Sequence, residues 1–129
     1  MTAMARKPSV TLTDAELRIM RVLWTRGEST NMEIVSAIVD PALARNTVMT
    51  TLGVLERKGY VRHRTDGRTF IYNAVIAEDR ARGTALESVL RRFFDGSAEQ
   101  LVVKLLEAEY LSADERKRIQ RLVDEAVDE

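Results

Sequence analysis

Apolar side chains recur along this chain at intervals of three and four residues, which is the period of a helix that buries one face. Three such runs predict helices over about residues 14–25, 31–39 and 45–58. A longer helix is predicted from about Ala77, and two shorter amphipathic helices follow it. The chain is therefore expected to be mainly α-helical.

Four of these helices begin with the same capping pattern, a Ser or Thr followed three residues later by Glu or Gln. The hydroxyl accepts from one free backbone N–H of the first turn, and the Glu or Gln side chain accepts from another. Each pattern precedes a run with helical apolar spacing, so the two signals agree. The pairs are Thr13 with Glu16, Thr30 with Glu33, Ser97 with Gln100, and Ser112 with Glu115.

After Gly59 the period changes to two, which is typical of β-strands. Two short alternating runs over residues 60–73 flank Asp66-Gly67, and this dipeptide favours a tight hairpin turn with positive φ at both central positions. Three helices followed by a hairpin describe a winged helix-turn-helix. The predicted fold is thus mainly α with a small β-hairpin wing and a C-terminal helical region.

Charge is distributed unevenly along a chain whose net charge is zero. Residues 1–75 hold 11 Lys/Arg and 7 Asp/Glu, a net charge of +4, whereas residues 76–129 hold 9 and 13, a net charge of −4. We therefore divide the chain at residue 75 into a polyanion-binding domain and a helical dimerisation domain. A solvated surface with uneven charge is the simpler interpretation.

The third predicted helix has one face that is polar, rich in small residues and basic, and such a face is suited to the major groove of DNA. The N-terminal residues of this helix are expected to read bases, whereas its C-terminal basic residues and the arginines of the wing contact phosphates. The start of the second helix can donate backbone amides to a phosphate. The predicted DNA-binding residues are Thr30, Asn31, Arg45, Asn46, Thr47, Thr50, Arg57, Lys58, Arg62, Arg64 and Arg68.

The C-terminal helices are short and strongly amphipathic, and about 50 residues cannot bury all of these apolar faces by themselves. A second copy of the chain is the expected partner, so we predict a homodimer. The predicted interface residues are Leu86, Val89, Leu90, Phe93, Phe94, Leu101, Leu105, Ile119, Leu122 and Val123.

The composition argues against an enzyme and against a metal site. The chain has no cysteine, and its one histidine, His63, has no second histidine or carboxylate at ligand spacing. We predict no catalytic residues and no cofactor. No apolar run is long enough for a membrane span or suited to a signal peptide, so a cytoplasmic protein is expected. Trp24 and most of the methionines at 20, 32 and 49 are interpreted as core residues.

A winged helix can also serve as a protein–protein interaction module that binds no DNA, and this is the alternative function. It predicts no change in DNA mobility and a protein partner in its place. The basic third helix and the arginine-bearing wing favour DNA.

Several stretches of the chain resemble the penicillinase-repressor (BlaI/MecI) family. Residues 12–17 and 22–24 are similar to the first helix of the family, with its capping pattern and its tryptophan. Residues 46–52 and 55–61 are similar to its recognition helix and the entry to its wing. Residues 68–72 resemble the returning strand of the wing, and residues 94–97 resemble the joint before the dimerisation helices.

The resemblance implies a repressor that binds operators with two-fold related half-sites, with a DNA-binding N-terminal lobe and a dimerising C-terminal lobe. In the best-known members a membrane-bound sensor protease system leads to cleavage between an Asn and a Phe, and the matching positions here are Lys104 and Leu105. A copper-responsive branch uses C-terminal cysteines, which this chain lacks. Some members open the recognition helix with Ser-Pro, where this chain has Ala44-Arg45.

Overall fold

The structure is a computed structural model that describes residues 11–127. The chain divides into two compact units, one that extends to Ser88 and one that begins at Val89. The division lies within the fourth helix. The sequence-predicted domain boundary at residue 75 falls earlier, at the end of the hairpin, and stays a prediction about which residues bind DNA and which dimerise.

The first unit begins with helix α1 (Asp14–Arg26), which has the predicted capping box. The Thr13 hydroxyl accepts from the Glu16 amide at 3.1 Å, and the Thr13 amide donates to the Glu16 carboxylate at 2.8 Å. At the other end of α1, Gly27 adopts a φ of +87°, a conformation that favours glycine. Both predicted boundaries of this helix are confirmed to within one residue.

Helices α2 (Asn31–Ala37) and α3 (Arg45–Lys58) form the helix-turn-helix. Helix α2 ends two residues before the predicted Val39, because Ile38 is already extended and Asp40 has a φ of +58° before Pro41. The restriction on the residue before proline excludes Asp40 from the helix, and the extended conformation of Ile38 ends α2 two residues before the predicted Val39. Helix α3 has the predicted bounds and ends at the left-handed Gly59.

Strands β2 (Val61–Asp66) and β3 (Thr69–Ala74) form the predicted hairpin. Asp66 pairs with Thr69, so Gly67 and Arg68 are the two central residues of the turn. Only Gly67 has a positive φ, +64°, which is the arrangement of a type II′ turn. The prediction that Asp66 and Gly67 are both central with positive φ is therefore wrong.

The sheet has a third strand that the sequence pattern did not predict. Strand β1 (Ser29–Thr30) pairs antiparallel with β3, so the strand order is β1-β3-β2. Because β3 is central, it fixes the hairpin to the segment between α1 and α2. The wing is thereby connected directly to the helix-turn-helix.

The core of the first unit lies between the three helices and the sheet. Ile19 and Met20 of α1 and Leu52 of α3 have no exposed surface, and the Trp24 indole N–H donates to the Ile76 carbonyl at 2.9 Å. Fully burying an aliphatic side chain contributes about 1.5–3 kcal/mol. The buried apolar residues are Ile19, Met20, Leu23, Ile34, Ile38, Val48, Leu52, Leu55, Tyr60, Val61, Tyr72, Ile76 and Ala81.

Three helices carry the rest of the described chain. Helix α4 (Glu78–Phe94) spans the division between the units, and α5 (Ala98–Glu107) and α6 (Ala113–Val127) belong to the second unit. Their predicted starts are confirmed, although at α5 only the Ser97 hydroxyl makes a capping bond. Neither α5 nor α6 contains a buried residue. Within residues 11–127, no helix has the length and apolar character that crossing a bilayer requires.

Candidate nucleic-acid interface

Helix α3 separates an apolar face from a polar one. Val48, Leu52 and Leu55 have no exposed surface and pack into the core. Asn46, Thr50 and Arg57 project from the opposite side of the helix and are exposed. Spacings of four and three put each set of side chains on its own side of one helix, so burial of the apolar face presents the polar face to solvent.

The N-terminal half of this polar face is concave. Asn46, Thr47, Thr50 and Thr51 line a shallow depression of about 270 Å³. Amide and hydroxyl groups can both donate and accept hydrogen bonds, and the edges of bases in the major groove carry complementary donors and acceptors. No side chain caps the start of α3 at Ala44, so the first turn of the helix stays open to solvent.

The hairpin presents its two faces to different surroundings. Cross-strand pairs place His63 opposite Tyr72, on the face that contacts α3, and Arg64 opposite Ile71, on the other face. Arg62 shares the face of Arg64 because side chains alternate along a strand. The sequence grouped both arginines with Arg68 as wing contacts, but only Arg68, in the turn, lies beside α3 in a common groove.

A histidine–carboxylate pair links the wing to α3. His63 Nδ1 lies 2.9 Å from both carboxylate oxygens of Glu56, and the His63 ring stacks on Phe70 with the ring centroids 4.1 Å apart. Burial and the nearby Glu56 charge together raise the pKa of Tyr72. The statement that His63 has no carboxylate at ligand spacing is therefore corrected. Glu56 immediately precedes Arg57 in α3, so its side chain projects about 100° around the helix from the polar face, and the apolar period does not single it out.

Two of the predicted phosphate-binding arginines and lysines have acidic partners. The Arg64 guanidinium donates to both oxygens of Glu28 at 3.1 and 3.2 Å, and this hydrogen bond and charge hold the pKa of Glu28 below its ordinary value. Both side chains are half exposed, so DNA can still compete for Arg64. Lys58 differs from Arg64, because its partner is inside the fold.

Lys58 lies at the end of α3 but points back to α1. Its Nζ lies 2.8 and 2.9 Å from the two carboxylate oxygens of Glu16, whose side chain is only 5% exposed. The ammonium also donates to the Thr11 carbonyl at 3.1 Å. A buried carboxylate requires such a partner, so the structure gives Lys58 a role in folding.

The start of α2 is largely committed to its own cap. The Thr30 amide donates to the Glu33 carboxylate at 2.8 Å, and this backbone bond is the main cause that lowers the pKa of Glu33. The Thr30 amide is therefore already used, contrary to the expectation that it is open to a phosphate. Beside it, Asn31 Oδ1 is the one buried side-chain oxygen or nitrogen without a hydrogen-bond partner in the described part of the chain.

A groove of about 610 Å³ runs between the start of α2, one flank of α3 and the wing. Arg45 and Arg68 contribute its charges, and Met32, Met49 and Phe70 contribute exposed apolar surface. Met32 and Met49 were included among the methionines interpreted mostly as core residues. Of the methionines at 20, 32 and 49, only Met20 is buried, whereas Met32 is 52% and Met49 50% exposed.

Comparison with known proteins identifies the family. The sequence pattern described as "Penicillinase repressor" matches residues 12–125, nearly the whole chain. The chain belongs to the penicillinase repressor family. It is therefore a DNA-binding transcriptional repressor with a winged-helix fold, and the resemblance seen in its recognition helix and wing is confirmed.

Individual relatives cover both lobes of this repressor. A penicillinase repressor from Bacillus licheniformis is 29% identical over 115 residues, which cover 88% of this chain and 90% of the relative. The methicillin resistance regulatory protein MecI of Staphylococcus aureus is 21% identical over 114 residues, which cover 88% of this chain and 93% of that protein. The solution structure of the DNA-binding domain of the repressor BlaI matches with a TM-score of 0.51 and 29% identity, covering 60% of this chain and 93% of that domain.

The helical region of the repressor exposes most of its predicted interface residues. Leu86, Val89, Phe93, Ile119, Leu122 and Val123 are exposed, whereas Leu90, Phe94, Leu101 and Leu105 are partly buried. Helix α6 has no buried side chain despite its apolar stripe. A monomer thus leaves a large apolar surface in water.

Metal-binding geometry is missing from the described residues. No group of three or more His, Asp or Glu side chains in residues 11–127 converges as a metal site would require. The carboxylates near the interface, Glu16, Glu28, Glu33 and Glu56, each pair with a cation, His63 or a helix cap instead.

Proposed function

We propose that this repressor binds palindromic operator DNA as a homodimer, with α3 in the major groove and the wing on the sugar–phosphate backbone. The supporting observation is the exposed polar face of α3, whose opposite side is fully buried in the core. A helix with its side chains is about 10–12 Å in diameter, which suits the major groove. On this proposal, residues 1–75 bind DNA and residues 76–129 dimerise.

Base recognition is assigned to the N-terminal part of α3. Asn46 can pair with adenine through two hydrogen bonds, and Arg45 can pair with guanine in the same way. The hydroxyls of Thr47 and Thr50 can bond to either kind of base, and their methyl groups can contact the methyl of thymine. All four side chains are exposed.

Phosphate contacts are assigned to exposed cations around this surface. Arg57 and Arg68 are the principal ones, because both lie on the side of the domain that presents α3. Arg62 and Arg64, on the far face of the hairpin, provide secondary contacts, and Asn31 can contribute its backbone amide. We leave Lys58 out of the interface because its ammonium neutralises the buried Glu16.

The dimer interface is assigned to the apolar faces of the helices in the helical region. Exposed side chains such as Phe93, at 71%, and Leu122, at 64%, are costly to leave in water, and a second copy presents the same surface. Two-fold symmetry of the dimer matches two-fold symmetry of a palindromic operator. The proposed interface residues are Leu86, Val89, Leu90, Phe93, Phe94, Leu101, Leu105, Ile119, Leu122 and Val123.

A membrane-bound sensor protease is the further partner that the family resemblance implies, and Lys104–Leu105 is the bond at the position that is cleaved, between Asn and Phe, in the best-known members. This bond lies inside α5 (Ala98–Glu107), with Lys104 exposed and Leu105 partly buried. Cleavage therefore requires local unwinding of α5. Mass spectrometry of the repressor after coexpression with a membrane-bound sensor protease tests this partner; a product ending at Lys104 would support it, and an intact chain would contradict it.

Selection of binding sites from a random duplex library tests the operator proposal. The recovered sequences should contain a palindrome, and anisotropy with that duplex should show affinity that falls steeply with salt. Asn46→Ala should relax the preference at one position per half-site by about 1–3 kcal/mol, whereas Arg57→Met should weaken all sequences similarly. Recovery of random sequences alone would contradict the proposal.

Gly53 offers a second, independent test because it lies between Asn46 and Arg57 on the polar face. A Cβ added at Gly53 would lie 3.7 Å from an Arg57 nitrogen, which is an ordinary contact. Gly53→Ala should therefore stabilise the free protein by about 0.5–1 kcal/mol. If the α3 backbone approaches DNA closely, the same change should weaken operator binding. Tighter binding by the alanine variant would show that α3 does not approach the bases at this point.

A further inference from the structure

A pocket of about 320 Å³ lies in the first unit, between α1 and the first turns of α4. Its volume falls within the range of about 300–1,000 Å³ that small-molecule sites usually have. None of its lining residues belongs to the proposed DNA-binding set. The pocket is therefore separate from the nucleic-acid interface.

The walls of this pocket are apolar and partly aromatic. The Trp24 indole N–H already donates to the Ile76 carbonyl, so the indole ring offers the pocket only apolar surface. Both apolar lining residues of α4 are alanines, and their small side chains leave space that a ligand can occupy. The apolar and aromatic lining residues are Leu12, Leu17, Trp24, Tyr60, Ala81 and Ala85.

The charged lining residues leave one positive charge unbalanced. Arg82 donates to the Glu78 carboxylate at 3.2 Å, so these two charges neutralise each other. Arg21 is exposed and takes part in none of the ion pairs within residues 11–127. A guanidinium can bind a carboxylate through two parallel hydrogen bonds. The occupant is therefore expected to carry one negative charge on an apolar body.

We propose that this pocket binds a small monocarboxylate, whose aromatic or branched aliphatic body packs against Trp24 and Tyr60 while Arg21 holds its carboxylate. The volume suits a small molecule, and a single carboxylate matches the single unbalanced charge. The inference does not depend on the proposed function, because the DNA-binding residues lie outside the pocket. The ligand and the operator are expected to bind the same molecule together.

The fluorescence of Trp24 reports binding in the pocket itself, because Trp24 is the only tryptophan of the chain. The full-length repressor is titrated with phenylacetate, phenylpropionate and isovalerate, and separately with the corresponding amides. At least one carboxylate should cause a saturable change in emission. Its amide should bind about fivefold more weakly, since the amide lacks the charge that Arg21 binds.

Variants of the pocket connect the effect to named side chains. Arg21→Met keeps an apolar stem and removes the charge, so it should lower the affinity for the carboxylate to that of the amide. Ala85→Leu should fill the pocket and abolish binding of both probes, while leucine remains favourable in a helix. Arg80→Met is the matched control, because Arg80 is an exposed arginine of α4 that does not line the pocket. It should leave both affinities unchanged.

Three results would overturn this inference. One is the absence of a saturable change with all three carboxylates. Another is equal affinity for carboxylates and amides, since the charge of Arg21 would then select nothing. The third is binding by a Leu122→Glu variant, whose charge disrupts the proposed dimer interface, but not by the native protein, because a second copy would then cover the pocket. Operator binding is measured separately, and its failure would reject only the proposed function.

Discussion

The two units of the repressor bury their apolar side chains to very different extents. In the first unit, side chains from three helices and a sheet converge, and Ile19, Leu52 and Leu55 lose all contact with solvent. In the second, α5 and α6 have no buried residue, although both are strongly amphipathic. The comparison indicates that the first unit can fold by itself, whereas the second depends on another molecule to cover its apolar faces.

The largest expected effect therefore comes from the second unit. Leu122→Glu places a charge on the apolar face of α6, and each copy of the dimer should lose about 1.5–3 kcal/mol of interface burial, twice over by symmetry. Sedimentation should show dissociation, and DNA binding should become limited to weak half-site binding. Lys117→Glu, on the opposite face of the same helix, is the control. An intact Leu122→Glu dimer would remove α6 from the interface.

A core truncation should act only on the first unit. Leu52→Ala removes a fully buried side chain of α3 and should lower the free energy of unfolding by about 2–5 kcal/mol. Chemical denaturation should show this loss in a transition whose midpoint is independent of protein concentration. The transition of the second unit should instead rise in midpoint with concentration, because dimerisation stabilises it. A single transition that depends on concentration throughout would contradict the separation of the two units.

Substitutions of two neighbouring cations at the end of α3 should have different effects, one on stability and the other on DNA binding. Lys58→Met leaves the Glu16 carboxylate buried without its cation and should lower the free energy of unfolding by about 3 kcal/mol, with little change in the DNA affinity of the folded protein. Arg57→Met should weaken DNA binding and reduce its salt dependence while stability changes little. If Lys58→Met weakened DNA binding and left stability unchanged, Lys58 would have to be placed in the DNA interface.

The smallest effect compares one helix cap in each unit. Hydrogen bonds from Thr30 and Ser112 lower the pKa of Glu33 and Glu115, respectively, below 4.5. The pKa of each carboxyl is therefore lower in the folded state than in the unfolded state. The stabilisation by each cap is complete when the pH is above the unfolded-state pKa, and it is lost as the pH falls through the folded-state pKa. Glu33→Gln and Glu115→Gln keep the caps but remove this dependence.

Melting curves of these two cap variants between neutral and acidic pH separate the units. Each variant should differ from the native protein at neutral pH and converge with it in acid. The Glu33→Gln change should affect the first unit only, and the Glu115→Gln change the second. If both variants shift the same transition equally, the units unfold together.

Sequence reasoning predicted the elements well because their signals are local. Capping at Thr13 and Thr30 depends on residues three positions apart, and the apolar face of α3 depends on spacings of three and four. The same reasoning missed strand β1, because two residues carry no recognisable period and pair only with a strand about 40 residues away.

The candidate site was predicted less completely than the fold. The exposed face of Asn46, Thr50 and Arg57 follows from helix geometry. The sequence could not distinguish Lys58 from Arg57, because the partner of Lys58 is a carboxylate 42 positions earlier in the chain. Nor could it separate the exposed Met32 and Met49 from the buried Met20, since all three have the same chemistry and similar neighbours.

The sequence by itself determined where helices and the hairpin form, which side of α3 is polar, and which family the chain resembles. Tertiary structure alone decided which cations are free, which methionines face solvent, and that the wing pairs with β1 and contacts Glu56. The physical reason is the separation along the chain between the residues that interact. Backbone hydrogen bonds and amphipathic periods act between residues a few positions apart, whereas ion pairs, ring stacking and burial depend on residues that only folding brings together.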